Sequence, residues 1–154
     1  MNTVENNLKL MKTLDDAWNS QDWDTFLKRH AENTSVTWMG RKSEATKGRK
    51  AHKEESIEFF KTFPDNHIDN DPYQVLFGQG EWTCSVARFS GTMKGPMTGP
   101  DGKSIPPTHK KFEIEFCTVA HWVNGEIVEE KLFYDLTEMM RQLGLMSGAE
   151  EKAA

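Results

Sequence analysis

The sequence predicts an α+β domain in which helices wrap a strongly curved sheet around one apolar pocket. Two observations predict it. Helix-spaced apolar residues come first and strand-like runs fill the second half of the 154 residues, an order that differs from βαβ alternation. The last of those runs carries apolar side chains on both faces, so one face must pack on the helices and the other on something else.

The elements follow in order. Val4, Leu8, Met11, Leu14 and Trp18 recur at helical spacing, and Asn2 with Glu5 has the form of a capping box. Asp22 can cap a short second helix with Trp23, Phe26 and Leu27 on its apolar face. A strand is expected over 34–39. A third helix starts near Gly48, runs through Ala51, Ile57 and Phe60, and stops at Pro64. Four strands follow, over 67–77, 81–94, 110–123 and 126–135, the last two joined by the hairpin signal Asn124-Gly125. The Gly/Pro-rich stretch 95–107 is expected to lack regular structure. A terminal helix over 136–143 ends at Gly144. The reading is one domain over 1–146, with a frayed tail at 147–154.

Composition narrows the function. The chain is 36% hydrophobic and 28% charged, with a formal net charge of −5. An acidic surface argues against nucleic acid as partner, and no apolar run reaches the length of a membrane span. The first residues lack the basic-then-apolar order of a secretory signal, so a cytoplasmic location is expected. Cys84 and Cys117 are read as free, buried thiols. Apolar surface on both faces of the last strand suggests a homodimer.

The five histidines show no metal-ligand spacing, and no metal or other cofactor is expected. Phosphate-loop and nucleophile-elbow motifs are absent, which leaves ordinary acid–base groups acting on an organic substrate; an apolar pocket would suit a small hydrophobic one. Asp135 is the first candidate. It follows Leu132-Phe133-Tyr134 and precedes an apolar helix, so it is either a desolvated acid/base or a helix cap. His121 is the second. A strict two-residue turn at Asn124-Gly125 sets it on the opposite face from Asp135, whereas a glycine bulge sets it beside Glu129, Lys131, Phe133 and Asp135. Arg88 shares a strand face with Trp82, Cys84 and Val86, and either enters a cavity or snorkels from the sheet. His67 lines a pocket mouth or caps a turn. Trp38, Trp82, Phe60 and Phe116 are core residues or pocket walls.

TKGRKAHKEE, FPDNH, IPPTHKKFEIEF and WVNGEIVEEKLFYDLTEMMRQLGL, in that order and spacing, resemble the SnoaL-like polyketide cyclases of the nuclear-transport-factor-2-like superfamily. The resemblance implies a cone of helices on a curved, antiparallel or mixed sheet with a central pocket. It also implies cofactor-free closure of a polyketide ring by intramolecular aldol condensation, with Asp135 as general acid/base and His121 assisting. Trp38, His67, Trp82, Arg88, Phe116, Glu129 and Lys131 would line the substrate site, Lys131 standing where many relatives carry tryptophan. Because folds host many reactions, a dehydratase, isomerase or epoxide hydrolase, or a non-catalytic protein binding a small hydrophobic ligand, remain alternatives.

Overall fold

The computed structural model describes residues 2–41 and 44–146; the expected frayed tail lies outside them. Local signals set the helices. Asn2 caps α1, Thr3–Ser20, by accepting the Glu5 amide at 2.8 Å, as its spacing predicts. Asp22 caps α2, Trp23–Arg29, accepting the Thr25 amide at 3.2 Å and the Thr25 hydroxyl at 2.7 Å. α3, Arg49–Thr62, stops short of Pro64 because proline cannot supply the next amide.

The strands are β1, His30–Trp38; β2, Thr46–Lys47; β3, His67–Asp69; β4, Val75–Gln79; β5, Trp82–Thr92; β6, Met97–Thr98; β7, Ser104–Ile105; β8, Lys111–Val123; and β9, Glu126–Phe133. They are followed by α4, Leu136–Gln142. The main sheet has the order β2-β1-β9-β8-β5-β3, with β4 also paired to β5. β1 runs parallel to β9 and every other pair is antiparallel, so the sheet is mixed. It is curved and unclosed, with the four helices packed on it, the α+β architecture expected.

Three expectations change. The strand expected over 67–77 divides into β3 and β4, two short pieces that share one edge of β5. Pro72 lies in the break and has no amide to give a ladder. The stretch 95–107 holds a small two-stranded ribbon, β6 with β7. β1 begins at His30, directly after α2, rather than at Thr34.

The hairpin between β8 and β9 has two parts. Val123 faces Glu126 across a two-residue turn in which Asn124 and Gly125 both have positive φ, 50° and 80°. The register then shifts: Trp122 faces Ile127, but His121 faces Glu129. The extra residue in β9 is a bulge, which changes the phase of everything after it. Ile127, Glu130 and Leu132 are all buried, whereas Phe133 is exposed. Simple alternation would set Ile127 and Phe133 on one face.

Apolar burial closes the cone. Trp18 of α1 packs 5.0 Å from Phe60 of α3 and 6.4 Å from Phe26 of α2, ring centre to centre. Its indole N–H donates to Asn66 Oδ1 at 2.7 Å, so burial leaves no unpaired donor. Asn19 clamps α1 to β3 by giving its amide to Ile68 O and accepting the Ile68 N–H, both at 2.8 Å.

The C-terminus of α3 is held by the chain after β5. The Lys94 and Gly95 amides donate to Thr62 O at 3.0 and 3.1 Å, and the Thr62 hydroxyl donates to Pro96 O at 2.8 Å. A Cβ at Gly95 would overlap the Lys61 carbonyl. Gly95→Ala should therefore destabilise the fold by about 1–3 kcal/mol, measured as a lowered urea midpoint with an unchanged slope.

Candidate functional site

The concave face of the sheet and helices α1, α2 and α3 enclose a cavity of about 40 Å³. Its walls are mostly aromatic and aliphatic, with Trp18, Trp38, Phe89 and Phe116 among them. Into these walls the fold sets four ionisable side chains: Asp15, His30, His52 and Glu130. All four are buried.

Glu130 is the hub of three of them. The β9 bulge turns it inward, and its Oε1 meets His30 Nε2 at 2.8 Å and His52 Nε2 at 3.2 Å. Each imidazole is oriented from behind. His30 Nδ1 lies 2.7 Å from Phe26 O, and a carbonyl can only accept, so this nitrogen carries a proton. His52 Nδ1 donates to Glu55 Oε1 at 2.9 Å. Glu55 is itself fixed by the Trp38 indole N–H at 2.7 Å and the Thr46 hydroxyl at 2.8 Å.

Burial alone would favour the neutral forms. It disfavours charge on His52, but Glu130 and Glu55 outweigh it and hold the imidazole pKa up at about 9. Burial likewise pushes Glu130 up, but His30 and His52 overcome it and keep the carboxyl well below the usual range. Glu55 is also lowered, burial being offset by His52, Trp38 and Thr46. The result is a buried, paired charge cluster.

Asp15 behaves in the opposite way. It sits on the buried face of α1 between Met11 and Trp18, and its Oδ2 accepts the Tyr73 hydroxyl at 2.7 Å. Burial raises its pKa from 3.8 to about 7; Tyr73 opposes the rise, and the charge on Glu130 adds to it. A carboxyl with a pKa near neutrality, at the wall of an apolar cavity, can both take and give a proton.

The expected site residues divide between the two sides of the sheet. Trp38 and Phe116 are buried and line the cavity. The others lie elsewhere. His121 is on the outer face, stacked 4.7 Å from exposed Trp82, with Nε2 3.1 Å from Glu81 Oε1. The turn is the strict two-residue one, and the bulge within β9, rather than one at Gly125, pairs His121 with Glu129 on that face. Arg88 points outward and pairs with Glu113 at 3.2 Å. Lys131 and His67 are exposed, so Lys131 brings no cation into the cavity. Asp135 is exposed at the edge of an open outer groove of about 660 Å³. Its Oδ1 accepts the Glu138 amide at 2.9 Å, which makes it the N-cap of α4.

Asp15, His30, His52 and Glu130 were missed in the sequence, although some carried a signal. Asp15 is four residues after Met11 and three before Trp18, a charge inside an apolar helical stripe. Glu130 alternates with Leu132 and Tyr134 along a strand face otherwise apolar. His30 and His52 carried none, because only the folded chain brings them to Glu130.

Comparison with known proteins gives a consistent fold. The family model described as SnoaL-like polyketide cyclase matches residues 8–143. A candidate SnoaL-like polyketide cyclase from Jannaschia sp. CCS1 superposes with a TM-score of 0.81 at 19% identity, covering 96% of this chain and 97% of that one. IdmH of Streptomyces antibioticus, a candidate polyketide cyclase, gives 0.74 at 22% identity, covering 90% and 98%. A protein of Catenulispora acidiphila with a ketosteroid isomerase-like fold, solved with trimethylamine, gives 0.71 at 15%, covering 89% and 93%. No curated protein matches the sequence.

The raised pKa of Asp15 has a consequence for stability. The unfolded chain releases this proton near pH 4, whereas the folded chain holds it to about pH 7. Stability is therefore lost as pH rises through that window, by on the order of 4 kcal/mol. Asp15→Asn mimics the neutral acid. Its melting temperature should exceed that of the unsubstituted chain by several degrees at pH 8, and the difference should vanish near pH 4.

Proposed function

The chain belongs to the SnoaL-like polyketide cyclase family, and on that premise we propose that it is a general acid/base enzyme acting on a small carbonyl compound inside the cone. Asp15, rather than Asp135, is the group that moves the proton. The observation that carries this reading is a carboxyl with a pKa of about 7 at the wall of the interior cavity, set against an exposed Asp135 engaged as a helix cap.

In this reading the Asp15 carboxylate removes a proton from a carbon next to a carbonyl group. The proton passes to the carboxyl, and the electron pair moves onto the carbonyl oxygen as an enolate. For ring closure the enolate carbon attacks a second carbonyl of the same molecule, and Asp15 returns its proton to the new alkoxide. The His30–Glu130–His52 cluster would supply a fixed field beside the reacting atoms, in place since folding. Holding the chain in a near-attack shape would be the pocket's other contribution.

The cavity of about 40 Å³ sets a size limit. It takes the reacting atoms of a substrate but not a fused-ring polyketide, since drug-sized ligands occupy roughly 300 Å³ or more. A polyketide-sized substrate therefore requires the aromatic wall that includes Trp38 and Phe116 to open.

Proton exchange at the α-carbon of an activated β-ketoester in deuterated buffer tests the assignment. The rate should rise with pH to a plateau above about pH 7, and Asp15→Asn should lower it at least about 100-fold. Asp135→Asn should stay within about twofold of the unsubstituted rate, since capping contributes only stability. Full activity in Asp15→Asn, or loss confined to Asp135→Asn, overturns the assignment.

The homodimer belongs to the same reading. Val75, Phe77, Trp82 and Phe133 are 38–56% exposed, and β4, β5, β8 and β9 set them along the outer sheet face with Val86 and Cys117. Such a contiguous apolar face suits an interface between copies. Cys84 and Cys117 are free thiols on this face, Sγ to Sγ 3.8 Å, in keeping with a reducing cytoplasm. Among the described residues no helix is long and apolar enough to cross a membrane. Light scattering at micromolar concentration should give twice the 17.7 kDa chain mass, and Phe77→Asp should return it to the monomer value; a monomeric mass for the unsubstituted chain removes the dimer.

A further inference from the structure

We propose that His30 Nε2, His52 Nε2 and Glu130 Oε1 form a binding site for one divalent transition-metal ion of the zinc class. These three atoms all lie within 4.8 Å of one another. Zinc bonds to nitrogen and oxygen are about 2.0–2.2 Å long, so its ligand atoms stand about 3–3.5 Å apart. Glu130 Oε1 is 2.8 Å from one imidazole nitrogen and 3.2 Å from the other, close to that spacing, and an ion would draw the two imidazoles together from within 4.8 Å.

Hydrogen-bond direction supplies the second argument. The Nδ1 atoms of both rings are spent as donors, His30 to Phe26 O and His52 to Glu55 Oε1. Both Nε2 atoms therefore converge on one carboxylate oxygen. Two nitrogen lone pairs facing a carboxylate need positive charge between them, either a proton on each ring or one shared cation.

The surroundings have the form of a metal site's outer shell. A ligating histidine characteristically gives its other N–H to a carbonyl or a carboxylate, and here one ring has each. Glu55, which orients His52, is locked in turn by Trp38 and Thr46. Two imidazoles and one carboxylate suit zinc or iron(II) better than magnesium or calcium, which prefer oxygen ligands. Three protein ligands leave a position open, and all three residues line the cavity. A water or a substrate carbonyl oxygen could take that position and be polarised there. The site stands apart from the proton-transfer role of Asp15.

Cobalt(II) is the probe. The full-length chain, dialysed against a chelator and titrated with Co²⁺, should develop visible d–d absorption that saturates at one equivalent. Zn²⁺ should abolish that absorption and raise the melting temperature of the chelated protein. His52→Gln and Glu130→Gln should each weaken binding at least about 100-fold. Glu55→Gln keeps all three ligands and should weaken it about 10- to 100-fold. His121→Gln, on the outer face, should bind as the unsubstituted chain does. Asp15→Asn should keep the cobalt spectrum whether or not it loses proton exchange, so the two proposals fail separately. No saturable absorption on the unsubstituted chain overturns the site, as does unchanged affinity in either His52→Gln or Glu130→Gln.

Discussion

A carboxylate can remain ionised in this interior only because two imidazoles meet it. Taking a lone carboxylate out of water costs several kcal/mol even after the protein relaxes. Glu130 offsets that cost through His30 and His52, which approach the same oxygen from β1 and α3. The cluster thereby ties together elements far apart in the chain, and His30 is 100 residues from Glu130. A buried ion pair of this kind is weak evidence for stability, since well-packed apolar groups often serve as well.

Asp15 shows the other outcome of burial. Among the described residues its side chain is met by the hydroxyl of Tyr73, a neutral donor that cannot compensate a full charge. The proton is therefore retained toward neutral pH. Two carboxyl groups of the same cavity are driven in opposite directions by their partners, one toward permanent ionisation and one toward exchange. That separation is the usual physical basis for distinct acid and base roles in one site.

Much of the fold was legible in the sequence because it is encoded locally. Asn2, Asp22 and Pro64 mark helix ends through rules that hold within a few residues, and Asn124-Gly125 marks the hairpin in the same way. The candidate site was legible only in its apolar walls, Trp38 and Phe116. Asp135 fits a capping signal as well as a catalytic one, and the structure shows it bonded as a cap. The residues at the cavity come from α1, β1, α3 and β9, so their meeting depends on tertiary geometry that no local pattern records. The signs that did exist, charges at Asp15 and Glu130 on apolar faces, are departures from periodicity, and a search for periodicity passes over them.

The single extra residue in β9 also sets a parity. Glu129 and Glu130 are neighbours with the same chemistry, and the bulge decides which of them enters the cone: Glu130 lies opposite buried Ala120, whereas a regular ladder from the Asn124-Gly125 turn, with Val128 opposite His121, would put Glu129 there. Loss of Val128 would straighten the ladder and still leave Glu129 opposite His121 and Glu130 opposite Ala120. The end of this hairpin can therefore shorten by one residue without moving a buried charge. A lineage built on this scaffold can vary that surface turn in length while its interior keeps the same chemistry.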